Sequence, residues 1–143
     1  MTTHAPDIAA RLEVALAAAR EAGDITLRFF RRDDLEVERK GDDTPVTAAD
    51  RLAEQHLRSR IAAAFPHDAV LGEEFPEQPG TSGFRWILDP IDGTKSFIHG
   101  VPLYGTLVGI EQADRGEVAP WDLNETKAEV RRLLADKLAN KGA

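Results

Sequence analysis

Asp89 and Asp92 stand three positions apart at the end of the apolar run Trp86, Ile87 and Leu88, and Gly93 and Thr94 follow at once. The run has the make-up of a buried strand. Pro90, between the aspartates, removes a backbone donor and predicts a turn, so two carboxylates are delivered where a strand stops. Residues 94–99 suit a short helix whose first N–H groups face outward and favour an anion. Carboxylate oxygens hold hard cations and a helix start receives phosphate oxygens. The pattern therefore points to magnesium-dependent phosphate chemistry.

A site of this kind needs elements to position it. A second acidic pair, Glu73 and Glu74, follows the brief strand-like run 69–71 and Gly72, and either carboxylate of that pair could face a metal. Upstream, residues 6–30 repeat Ile8, Leu12, Leu16, Ala19, Leu27 and Phe30 with charged residues between them, which predicts an amphipathic helix loosened near Gly23. Residues 35–39 alternate as a half-exposed strand does. Residues 40–46, with Gly41, Asp42, Asp43 and Pro45, predict an exposed polar loop. Thr47 opens a second helical pattern (Leu52, Leu57, Ile61, Ala64, Phe65) that ends before Pro66, and Asp50 completes a capping box with Asp in place of Glu.

Residues 84–88 predict the strand leading into Asp89, residues 103–111 a well-buried strand, and residues 114–116 a turn into a short last strand, which Pro120 ends. Residues 121–143 read as a high-propensity helix with Leu123, Val130, Leu134 and Leu138 on one stripe, capped by Asp122 or Asn124 and ended by Gly142. The order predicts an α+β fold: two N-terminal helices packed on a mainly antiparallel sheet, plus a C-terminal helix. A single domain, 1–143, is expected.

Composition narrows the function classes. The chain has 143 residues, a formal net charge of -7 and no cysteine. The acidic surplus argues against nucleic-acid binding through bulk electrostatics, and an anionic substrate would need a metal. Disulfides, thiolate zinc sites and a cysteine nucleophile are excluded. No window approaches a membrane span, so a cytoplasmic protein without membrane contact is expected.

Gly72-Glu73-Glu74, Asp89-Pro90-Ile91-Asp92-Gly93-Thr94 and Trp121-Asp122, in that order, resemble the three signature motifs of the inositol monophosphatase family of magnesium-dependent, lithium-sensitive phosphatases. Residues 44–50, Thr-Pro-Val-Thr-Ala-Ala-Asp, match a fourth, and residues 92–107 most resemble the bacterial histidinol-phosphatase-like branch. The resemblance implies that Glu73 and Asp89 bind a first Mg²⁺ together with the Ile91 carbonyl, and that Asp92 and Asp122 join Asp89 on a second. It further implies that Thr94, assisted by Glu73 or through Asp50, orients the attacking water, while the Gly93 and Thr94 N–H groups hold the phosphate. Asp122 also reads as an ordinary helix cap. Lys95 and His99 fall outside this core site, and Trp86 and Trp121 read as packing residues.

Trp121 follows the central motif far sooner than in full-length relatives, and the charged helix after it departs from the family pattern. The expectation is a truncated or engineered minimal version lacking most of the C-terminal half, with 1–118 phosphatase-like and 119–143 a replacement helix. Its expected activity is weakened hydrolysis of a small phosphorylated metabolite of the histidinol phosphate or inositol phosphate class. The alternatives are an inactive scaffold or metal-binding half-domain, and a half that self-associates into a homo-oligomer through its exposed sheet.

Overall fold

The computed structural model describes residues 5–41 and 45–112, with positions 125, 128, 132, 135, 136, 139 and 140 beyond them. The chain divides into two compact units, Met1–Ala113 and Asp114–Ala143. In the second unit the described positions are helical and exposed. They are charged residues, an asparagine and alanines, off the apolar stripe of the expected helix. The expected caps at Asp122, Asn124 and Gly142 and the last strand before Pro120 lie outside the described residues.

The first unit runs α1 (Ala5–Leu27), β1 (Val37–Arg39), β2 (Pro45–Thr47), α2 (Ala48–Ala64), β3 (Ala69–Gly72), β4 (Phe84–Asp92), α3 (Thr94–Ile98) and β5 (Gly105–Gln112). β1 and β2 form an antiparallel pair, and the second sheet has the order β3-β4-β5, parallel between β3 and β4 and antiparallel between β4 and β5. The fold is α+β with a mixed sheet, and the two long helices pack on it.

α1 runs through Gly23 without a break, and it buries a different face from its leucine stripe. Ala15, Ala18 and Ala22 pack with Ala53, Leu57 and Ile61 of α2 and with Val70, Trp86 and Leu88 of the sheet. Leu12 and Leu16 are 50% and 60% exposed, and Ile8 and Leu27 are also exposed. Both stripes have helical period. The alanine face goes inward because small side chains let α1 lie close against α2.

Parts of two expected loops are strand. Residues 45–47 pair with β1 and are fully buried, although 45 and 46 were expected at the end of an exposed polar loop. β4 passes through Pro90 to Asp92 instead of stopping at Asp89. Its parallel pairing with β3 ends at Gly72 opposite Leu88, so Pro90 has no β3 neighbour waiting for its missing N–H. On the other side, Asp89 faces Leu107 and Asp92 faces Gly105, which leaves two β4 residues opposite Thr106 alone, a β-bulge. The Thr106 hydroxyl donates to the Pro90 carbonyl at 2.9 Å and holds the bulge.

Candidate active site

The parallel register carries the site. Because β3 ends at Gly72 opposite Leu88, Glu73 leaves the end of β3 alongside Asp89, which lies within the last part of β4. The bulge then turns β4 so that Asp92 leads into α3 through Gly93, whose φ of 99° is left-handed and suits glycine. A second core of Ala49, Ile91 and Phe97, flanked by Phe29, Phe30, Leu35 and Tyr104, supports this segment from below. The Phe97 and Tyr104 rings meet edge to face at 4.9 Å.

Thr94 and Asp50 form the best-defined polar contact of the site. The Thr94 hydroxyl lies 3.1 Å from the Ile91 carbonyl and 3.3 Å from Asp50 Oδ1, sharing one proton between them. Asp50 is also the capping residue of α2: its Oδ2 accepts from the Thr47 N–H at 2.8 Å and from the Thr47 hydroxyl at 2.7 Å. It is therefore both cap and partner of Thr94. Burial pushes the Asp50 carboxyl up from its ordinary range, opposed by the bonds from Thr47 and Thr94 and by the Lys40 charge.

The two glutamates divide. Glu74 is held by Lys40, whose Nζ donates to its Oε1 at 2.9 Å, and burial raises its carboxyl against that pairing. Lys40 also reaches the Glu73 carbonyl at 3.4 Å and stands 4.0 Å from Glu73 Oε2. The Glu73 side chain is the more accessible of the two, at 26% against 5%. Asp89 is buried and Asp92 half-buried. Among the described residues no three His, Cys, Asp or Glu side chains converge closely enough to enclose a metal ion. Asp122 lies outside the described residues.

Three residues of this region went unread in the sequence: Lys40, Glu54 and Arg58. A signal for two of them was present, since Asp50, Glu54 and Arg58 follow one another at four-residue spacing and mark a polar line along α2.

Helices layered on a mixed sheet, with one carboxylate past the end of β3, others along the last part of β4 and a threonine–aspartate pair beside them, define an α+β acidic site. Residues 7–119 match the inositol monophosphatase family, and the chain belongs to that family. It is 57% identical over 100 residues to a histidinol-phosphatase of Chlorobaculum parvum, an alignment covering 70% of this chain and 39% of that protein. To a histidinol-phosphatase of Streptomyces coelicolor it is 43% identical over 115 residues, covering 80% and 43% respectively. Among solved structures, the extragenic suppressor protein suhB of Bartonella henselae superposes with a TM-score of 0.68 at 35% identity, covering 72% of this chain and 41% of that one. The chain thus spans about two fifths of the length of these relatives.

Proposed function

We propose that this chain carries the metal-binding and water-orienting part of a magnesium-dependent phosphomonoesterase acting on a small phosphorylated metabolite of the histidinol phosphate or inositol phosphate class. The observation that carries the reading is the register that brings Glu73, just past the end of β3, alongside Asp89 of β4, one bulge away from the Thr94–Asp50 pair.

The donor set suits the ion in kind. Glu73, Asp89, Asp92 and the Ile91 carbonyl are all hard oxygen ligands, and Mg²⁺ is commonly held by one or two carboxylates while keeping several waters. Glu73, Asp89 and the Ile91 carbonyl would hold a first ion, and Asp92 would join Asp89 on a second. When bound, the ion neutralises phosphoryl charge and acidifies a water. The chain's own residues handle the proton. Thr94 Oγ1 gives its proton toward Asp50 and Ile91, so its lone pairs are open to accept from a water. A proton leaving that water passes to Oγ1, while the threonine proton moves to Asp50 Oδ1. Burial of Asp50, which raises its proton affinity, favours that transfer. The N–H groups of Gly93 and Thr94 would receive the phosphate.

Phosphate release from histidinol phosphate, measured with and without Mg²⁺ and with Asp89→Asn as control, tests the reading. Turnover that requires both Mg²⁺ and Asp89 is expected, and equal background in every sample removes it. That result would favour a second reading, a folded half-domain without turnover.

A further inference from the structure

The proposed site leaves one charge unused. Glu54, on α2, is fully buried, and burial of a carboxylate is costly unless it is paired and hydrogen-bonded. Its partners are all in or beside the turn that bears Glu73. Oε1 accepts the Glu74 N–H at 3.0 Å, and Oε2 accepts the Phe75 N–H at 3.1 Å. Arg58, one helical turn further on, donates Nε to the same Oε2 at 3.1 Å and Nη2 to the Phe75 carbonyl at 3.1 Å. Glu54 also sits directly under Gly72, where any Cβ would collide with its carboxylate. Residues 72–75 are thus seated on one carboxylate by a close approach before Glu73 and by two charge-assisted hydrogen bonds after it.

We propose that Glu54 is the positioning residue for Glu73, holding the 72–75 turn in the shape that presents the Glu73 carboxylate beside Asp89 to a divalent cation. The inference rests on the phosphatase reading above. Glu54 itself touches neither metal nor substrate. Its side chain acts through the backbone of its neighbours, as outer-shell partners of metal ligands do.

The test is Mn²⁺ binding by isothermal titration calorimetry, on the full chain and three variants, with circular dichroism to establish that each is folded. In Glu54→Gln the amide keeps one acceptor oxygen for two N–H donors and turns its own NH₂ toward the other donor or Arg58. Mn²⁺ affinity is expected to fall about 10-fold, the scale of outer-shell losses at metal sites. Arg58→Gln, at a partly exposed position, loosens the same carboxylate from outside, and a smaller loss is expected. It is the deciding variant if Glu54→Gln does not fold. Asp89→Asn removes a proposed ligand and is expected to lose the binding itself. Folded Glu54→Gln or Arg58→Gln that binds Mn²⁺ as tightly as the wild type overturns the inference alone. Absence of binding by the wild type, or full affinity in Asp89→Asn, overturns the phosphatase reading and this inference with it.

Discussion

Replacing Arg11 by methionine should destabilise the first unit by about 3 kcal/mol near neutral pH, the lower end of the range for breaking a buried ion pair from one side. Arg11 and Asp68 are both buried. The guanidinium donates Nε to Asp68 Oδ2 at 2.7 Å and Nη2 to Oδ1 at 2.8 Å, and it is stacked on the Phe84 and Phe65 rings at 3.6 and 4.3 Å. Methionine keeps much of the volume against those rings but leaves the Asp68 charge without a counter-ion. The lower end applies because two donors stay in place: Trp86 Nε1 at 2.8 Å and the Ser82 hydroxyl at 2.6 Å.

The pH dependence sharpens the test. In the wild type burial raises the Asp68 carboxyl, but the bonds from Arg11, Ser82 and Trp86 outweigh it and hold the group below its ordinary value. A depressed folded value contributes stability above the unfolded pKa of about 3.9, and this is lost as pH falls through the folded value. In Arg11→Met the burial is no longer offset by the guanidinium, so the folded value rises. The gap between the two proteins must therefore be widest near neutrality and close as pH falls from the variant's folded value to the depressed folded value of the wild type. Urea unfolding across that range measures it. A gap that stays constant with pH, or one below about 1 kcal/mol at neutrality, would refute the assignment of the cost to an unpaired buried carboxylate. The double variant Arg11→Met/Asp68→Asn gives an internal check, with a cost lower than the sum of the single changes by more than about 1 kcal/mol.

Gly93→Ala should lower stability by about 2 kcal/mol, since the residue sits at φ 99° and its Cβ would stand 2.8 Å from the Leu103 carbonyl oxygen. Thermal melting reads this, and an unchanged midpoint would contradict it. On α1, Leu16→Ser should shift stability by no more than about 0.5 kcal/mol. Ala18→Leu, at a position 1% exposed, should cost about 1–3 kcal/mol by overpacking the contact between α1 and α2. Urea denaturation of both separates the two faces, and the opposite ranking would show the helix turned the other way.

What was legible in the sequence is what depends on near neighbours. Asp89, Asp92, Gly93 and Thr94 lie on one strand end and the helix start after it, and the Thr47–Asp50 capping box closes within a single turn. Their types and spacing suffice to read them. The misread elements each depend on a distant partner. Residues 45–47 are buried because β1 pairs with them, and Pro90 is tolerated because β3 ends two positions earlier in register. On α1 two stripes share the helical period, and which one turns inward is decided by how closely α2 approaches, a property that the leucines do not announce.

The same distinction separates the groups proposed to meet the metal from those that hold them. Thr94 reaches the Ile91 carbonyl three residues back, whereas Glu54 meets the 72–75 turn from 20 residues away and Lys40 reaches Glu74 from 34. A motif can record only the first kind of contact, because only that kind has fixed spacing. The second kind is free to vary in sequence distance so long as the fold returns the charge to the same place. Glu54 shows the consequence: on a helix pattern it is one more polar residue, and only the parallel β3–β4 pairing, with α2 packed behind it, turns it into the seat of an acidic turn. The donor types of the proposed site are therefore written locally, while their placement rests on helix α2, which brings Asp50 to Thr94 and Glu54 to the 72–75 turn.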